Sequence, residues 1–139
     1  MTGKEGGAAL EPPPGESPIV VLVRPQMAQN IGTVARAMAN GGLFHLRIVA
    51  PRDGWPQATA WRAASGADRI LDAATIHDTV EDAVADCHRV FATCPRPRHV
   101  IIPVHTARAA AEDLREISRG IEAALPSAPE PFSANWGAR

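Results

Sequence analysis

The chain has 139 residues and a formal net charge of −1, from 14 Lys plus Arg against 15 Asp plus Glu. That balance excludes a globally basic nucleic-acid binder, while a hydrophobic content of 45% is enough for one domain with a real core. No stretch is long enough to span a membrane, and the N-terminus lacks the charged-then-apolar order of a secretory signal, so a cytoplasmic protein is expected.

Residues 1–17 are rich in Gly, Pro and Glu and read as a disordered N-terminal tail. Ile19–Val23 is a short apolar run and reads as the first strand. A helix is expected over about Asn30–Asn40, starting at a polar cap and stopped by Gly41-Gly42. At about 100° per residue, Ile31, Val34, Ala35 and Met38 share one stripe, with Thr33, Arg36 and Asn40 opposite. Leu46–Ala50 reads as a second strand ended by Pro51. A helix follows over about Gln57–Ser65, with Gly66 as its stop. Arg69–Leu71 reads as a short strand or connector, and Asp78 or Thr79 caps a helix to about Cys87. Arg89–Thr93 is the next expected strand, ended by Pro95. Thr106 caps a helix over Ala107–Ser118, closed by Gly120, and Ile121–Leu125 reads as a further strand. Pro126, Pro129 and Pro131 make 126–139 an irregular tail.

This alternation predicts an α/β fold with a parallel sheet and helices on both faces. Such sheets bind ligands beyond the carboxyl ends of their strands. Three loops are expected there: Arg24–Asn30, Pro51–Gly54 and Thr93–Arg98. Charge is uneven in the same region. From Pro18 to Ile70 six Arg (Arg24, Arg36, Arg47, Arg52, Arg62, Arg69) face two Asp (Asp53, Asp68), and Asp72–Asp86 carries only acids. The asymmetry fits a basic patch beside the loops or a solvated surface.

Several chemistries find no support. There is no G-x-x-x-x-G-K-[ST] or G-x-G-x-x-G run and no G-x-S-x-G elbow. The five His and two Cys do not match zinc spacings, so no metal is expected. Cys87 and Cys94 are about 20 Å apart if extended, too far for a disulfide, which suits a reducing compartment. Asn30-Ile31-Gly32 is either a structural cap or a helix start that receives an anion through backbone N–H groups. Arg36 is either a surface ion-pair partner or a guanidinium held near a phosphate or ribose hydroxyl, which its planar fork suits. The loop Thr93–Arg98 is either a Pro-stiffened connector or the lining of a small-molecule pocket, with Arg96 and Arg98 toward a polyanion.

The run Asn30-Ile31-Gly32-Thr33-Val34-Ala35-Arg36-Ala37-Met38 resembles the first motif of the SpoU/TrmH-type RNA 2′-O-methyltransferases of the SPOUT superfamily. Leu46–Pro51, Ala63–Ala67 and Phe91–Arg98 continue the likeness in unbroken order over about 18–125, and within the family it is to the TrmJ-like tRNA enzymes. The resemblance implies a methyltransferase domain over 18–125 with a knotted α/β fold, S-adenosyl-L-methionine as methyl donor, and a homodimer. It further implies RNA, chiefly tRNA, as partner, with a ribose hydroxyl as acceptor. It places Arg36 at the 2′-hydroxyl and Asn30 in the RNA-facing site; Arg24, Arg52, Arg96 and Arg98, on the loops expected at the strand ends, are the further candidate RNA contacts. It places Thr93, Cys94 and Pro95 against the donor. After Leu125 the family's Phe-Gly-Pro-Glu-Arg-x-Gly-Leu-like loop is reduced here to Pro129-Glu130. The expectation is therefore a SPOUT-like fold lacking its final segment, active in methyl transfer or else a non-catalytic RNA-binding remnant. A generic nucleotide-binding α/β module is the reading outside this family.

Overall fold

The computed structural model describes residues 17–93 and 103–120. The chain divides between Thr79 and Val80 into two compact units.

The first unit runs β1 (Ile19–Val23), α1 (Ala28–Asn40), β2 (His45–Val49), α2 (Ala58–Ala64), α3 (Asp68–Asp72) and β3 (Thr75–His77). Its sheet is parallel throughout in the order β1-β2-β3, as the alternation predicts. Ile19 lies opposite His45 and Val23 opposite Val49, while Ile48 pairs with Ile76. Successive side chains of a strand point to opposite faces. Val20, Leu22, Leu46 and Ile48 therefore share the face on which α1, α2 and α3 pack.

In α1 the expected stripe is the observed one. Ile31, Ala35 and Met38 are buried and Val34 packs against the core, while Thr33, Arg36 and Asn40 are exposed. The helix starts two residues earlier than its sequence suggests. Its N-cap is Met27, in extended conformation and without a side-chain cap, so Asn30 lies within the first turn and its N–H reaches the Met27 carbonyl at 3.0 Å. The predicted stop holds. The Gly41 N–H bonds to the Ala37 and Met38 carbonyls, and Gly42 takes a φ of +71°, which Gly adopts at no steric cost.

Gly32 is thus not at the open end of the helix, where an anion would meet free N–H groups. Its function is packing. A Cβ there would overlap the Ala60 carbonyl oxygen and crowd the Ala63 Cβ, so Gly32 lets the α1 backbone come directly against the α2 backbone at Ala60. Small buried residues, Ala35, Ala60, Ala64 and Ala67, line the same contact region. At the rim of this core Trp55 stacks on Trp61 with ring centroids 4.9 Å apart, and the Trp61 indole N–H donates to Asp72 Oδ1 at 3.0 Å. The Ser65-Gly66 stop of α2 is observed, with Ser65 in the left-handed region.

Arg69–Leu71, expected as a strand or connector, is the middle of helix α3. Ile70 and Leu71 are both buried, which a single helical turn achieves by setting adjacent residues on its inner side. β3, three residues with one aliphatic among them, carries no periodicity to read.

Among the described residues the second unit contains α4 (Val80–Val84) and α5 (Ala107–Gly120). Arg89–Thr93, expected as a strand, has no strand partner among the described residues. Only Val90 and Phe91 are half-buried there, whereas Arg89 pairs with Asp113 at 3.4 Å and Phe91 meets His105 edge-on at 5.5 Å. Helix α5 begins where Thr106 predicts, with the Ala109 N–H donating to Thr106 Oγ1 at 3.2 Å. The segments 1–16, 94–102 and 121–139, including the expected strand Ile121–Leu125, lie outside the described residues.

Candidate RNA-facing rim

Strands β1 and β2 end in the same way. The residue after each strand, Arg24 (φ 48°) and Ala50 (φ 41°), sits in the left-handed region. Each still donates its N–H to the neighbouring strand, Arg24 to the Val49 carbonyl at 2.8 Å and Ala50 to the His77 carbonyl at 2.9 Å. A proline follows both, Pro25 and Pro51. The left-handed conformation costs a non-Gly residue roughly 1–2 kcal/mol, and such residues concentrate at functional sites. The two chains therefore turn sharply off the sheet at its carboxyl edge.

The loops they start are joined. The Arg52 N–H donates to the Pro25 carbonyl at 3.1 Å. Between them opens a depression of about 280 Å³, lined by Met27, Ala28, Gln29, Arg52, Asp53, Gln57 and Thr59. Arg52 grips Asp53 with two contacts, Nε to Oδ1 at 3.0 Å and Nη2 to Oδ2 at 3.2 Å. The hydrogen bond from Arg52 holds the Asp53 carboxyl below its usual range, and Asp53 raises the guanidinium in turn. Both side chains stay open to solvent, at 60% and 51% exposure. The Gln57 side-chain amide donates to the Asp53 carbonyl.

Two of the expected RNA contacts, Arg24 and Arg52, thus stand on adjoining loops, and Asn30 is exposed in the first turn of α1. Arg36 is exposed and forms no ion pair or side-chain hydrogen bond with a described residue. It does not line the depression. It stands about 10 Å further along the helix axis from Gln29, on the same exposed stripe as Gln29, Thr33 and Asn40. Of the expected donor contacts, Thr93 is exposed, and Cys94 and Pro95 lie outside the described residues, as do the expected RNA contacts Arg96 and Arg98. Among the described residues Thr93 alone belongs to the expected donor contacts. Among the described residues the third carboxyl-end loop of the sheet is Asp78-Thr79, after β3; the expected loop Thr93–Arg98 lies outside them beyond Thr93.

Asp53, Gln29 and Gln57 escaped the sequence reading. Their signal is position: an acid directly after Arg52 in the Pro-Arg-Asp-Gly turn, and an amide at the head of each of two helices. No group of three or more His, Cys, Asp or Glu among the described residues could hold a metal ion. Nor is any helix there long and apolar enough to cross a membrane.

The chain belongs to the SpoU rRNA methylase family, whose model matches residues 17–114. The crystal structure of TrmJ from Zymomonas mobilis superposes with a TM-score of 0.70 at 54% identity, over 73% of this chain and 45% of that one. A putative methylase family protein from Neisseria gonorrhoeae gives a TM-score of 0.60 at 30% identity, over 72% and 55%. Among curated relatives, the tRNA (cytidine/uridine/adenosine-2′-O-)-methyltransferase TrmJ of Pseudomonas aeruginosa is 45% identical over 85 residues, 61% of this chain and 33% of that protein. The TrmJ of Citrobacter koseri is 39% identical over the same length, 35% of its own. The chain therefore spans about a third of the length of the curated relatives it matches.

Proposed function

We propose that the chain serves as a tRNA ribose 2′-O-methyltransferase of the SpoU type, with S-adenosyl-L-methionine as methyl donor. Arg24, Asn30 and Arg52 face the RNA backbone at the rim, and Arg36 meets the ribose. The observation that carries the reading is Arg36 itself: an exposed guanidinium with no partner among the described residues, inside the matched family region.

A ribose 2′-hydroxyl is a weak nucleophile and must shed its proton as the methyl group arrives. Arg keeps its charge at any ordinary pH and makes a poor base. Its contribution is electrostatic, stabilising negative charge as it grows on the 2′-oxygen. Arg24 and Arg52 hold neighbouring phosphates and so fix the hydroxyl in line for transfer. The family likeness supports a homodimer, and tRNA as partner supports a cytoplasmic setting.

The test is transfer of a labelled methyl group to tRNA transcripts, with cytidine, uridine and adenosine acceptors drawn from the name of the Pseudomonas relative. Arg36→Ala is expected to lower turnover by about 100-fold or more without shifting the melting temperature, as loss of one oxyanion-stabilising donor does. Unchanged turnover overturns the role. The second reading is RNA binding without methyl transfer, since between Leu125 and Arg139 only Pro129-Glu130 matches the loop that the family resemblance implies. Calorimetry with S-adenosyl-L-methionine separates the two, since a remnant binds tRNA and no donor.

A further inference from the structure

We propose that Asp53 is a positioning residue that aims the Arg52 guanidinium at one phosphate of the RNA backbone. The inference rests on the RNA reading above and assigns a role to an acid that a phosphate-facing rim would otherwise exclude. Arg carries five N–H donors in a rigid fork. Asp53 occupies the inner edge, Nε at 3.0 Å and one Nη2 hydrogen at 3.2 Å. Two of the three remaining hydrogens, one on each Nη, point along the Nη1–Nη2 edge, a pair that can donate to two phosphate oxygens at once.

Both residues are fixed from behind. The Arg52 N–H is held by the Pro25 carbonyl at 3.1 Å, and the Asp53 carbonyl takes the Gln57 amide. A solitary exposed Arg samples many rotamers, and a partner that selects one lowers the ordering cost when a phosphate binds. Asp53 adds a repulsion toward the same phosphate. The proposal holds that the geometric gain exceeds it, because the carboxylate takes the Nε–Nη2 edge and leaves the Nη1–Nη2 edge free.

The experiment is a double-mutant cycle on tRNA affinity, measured by filter binding with the whole chain. Asp53→Asn keeps the shape and removes the charge. It is expected to weaken binding about two- to five-fold, the range that an exposed pair supports. In an Arg52→Lys background, where no fork exists to aim, Asp53→Asn is expected to have no effect or to tighten binding slightly. Equal or tighter binding by Asp53→Asn in the wild-type background overturns the proposal, as does the same loss in the Arg52→Lys background. Either result leaves the RNA reading standing if the unmodified chain binds tRNA. If that chain shows no salt-dependent tRNA binding, the RNA reading fails and this proposal with it. Both residues are exposed, so melting temperatures serve as the control for folding.

Discussion

Ala50 carries a methyl group in a backbone conformation that Gly adopts freely, at φ 41° and next to Pro51. Ala50→Gly is expected to stabilise the fold by about 1 kcal/mol in urea titration, since the left-handed cost for a residue with a Cβ is of that order. Arg24 holds the same conformation, and there Gly would remove the proposed RNA contact. Asp53 yields a pH prediction. Its carboxyl is lowered by Arg52, so whatever the pair contributes is present above the ordinary Asp value of about 3.9 and is lost as pH falls through the lower folded value. A side-chain carboxyl titration by NMR should place its midpoint below about 3.9, and Arg52→Ala should move it back up. At this scale the sequence shows which residue types stand at the strand ends, because Arg and Pro punctuate an apolar run. It does not show that Arg52 faces Asp53, since side-chain pairing within a turn depends on backbone angles that no spacing encodes.

Long or strongly patterned elements are legible and short ones are not. The stripe of α1 and the apolar runs of β1 and β2 have enough length to show their periods, whereas α3 and β3 span five and three residues. Ile70-Leu71 looks like strand because two adjacent aliphatics fit either a strand or one helical turn. Val90-Phe91 misleads for the same reason. The pairing that makes β3 a strand comes from backbone bonds to β2, not from its own side chains. Two element-scale tests follow. Gly32→Ala raises helix propensity, yet its Cβ meets the Ala60 carbonyl, and a net loss of about 1–3 kcal/mol is expected from chemical unfolding. Thr106→Ala removes the hydroxyl that accepts the Ala109 N–H, and faster amide exchange in the first turn of α5 should report a cap loss of about 1 kcal/mol.

Over the whole molecule a net charge of −1 gives no long-range pull toward a polyanion, so affinity for tRNA must be local. With Arg24 and Arg52 as the proposed phosphate contacts, about two phosphates would be neutralised, and log affinity should fall with log salt at a slope of about −1 to −2. A slope near zero contradicts a phosphate-facing rim, and one much steeper points to cations beyond these two. The family match over 17–114 extends past the first unit. Within that unit, Gly32 has a mechanical consequence. With nothing compressible between α1 and α2, the segments leading into the two helices share one stiff frame. Their spacing is set while the polypeptide folds, and a guest arriving later finds a gauge already cut rather than a pair of fingers that must close.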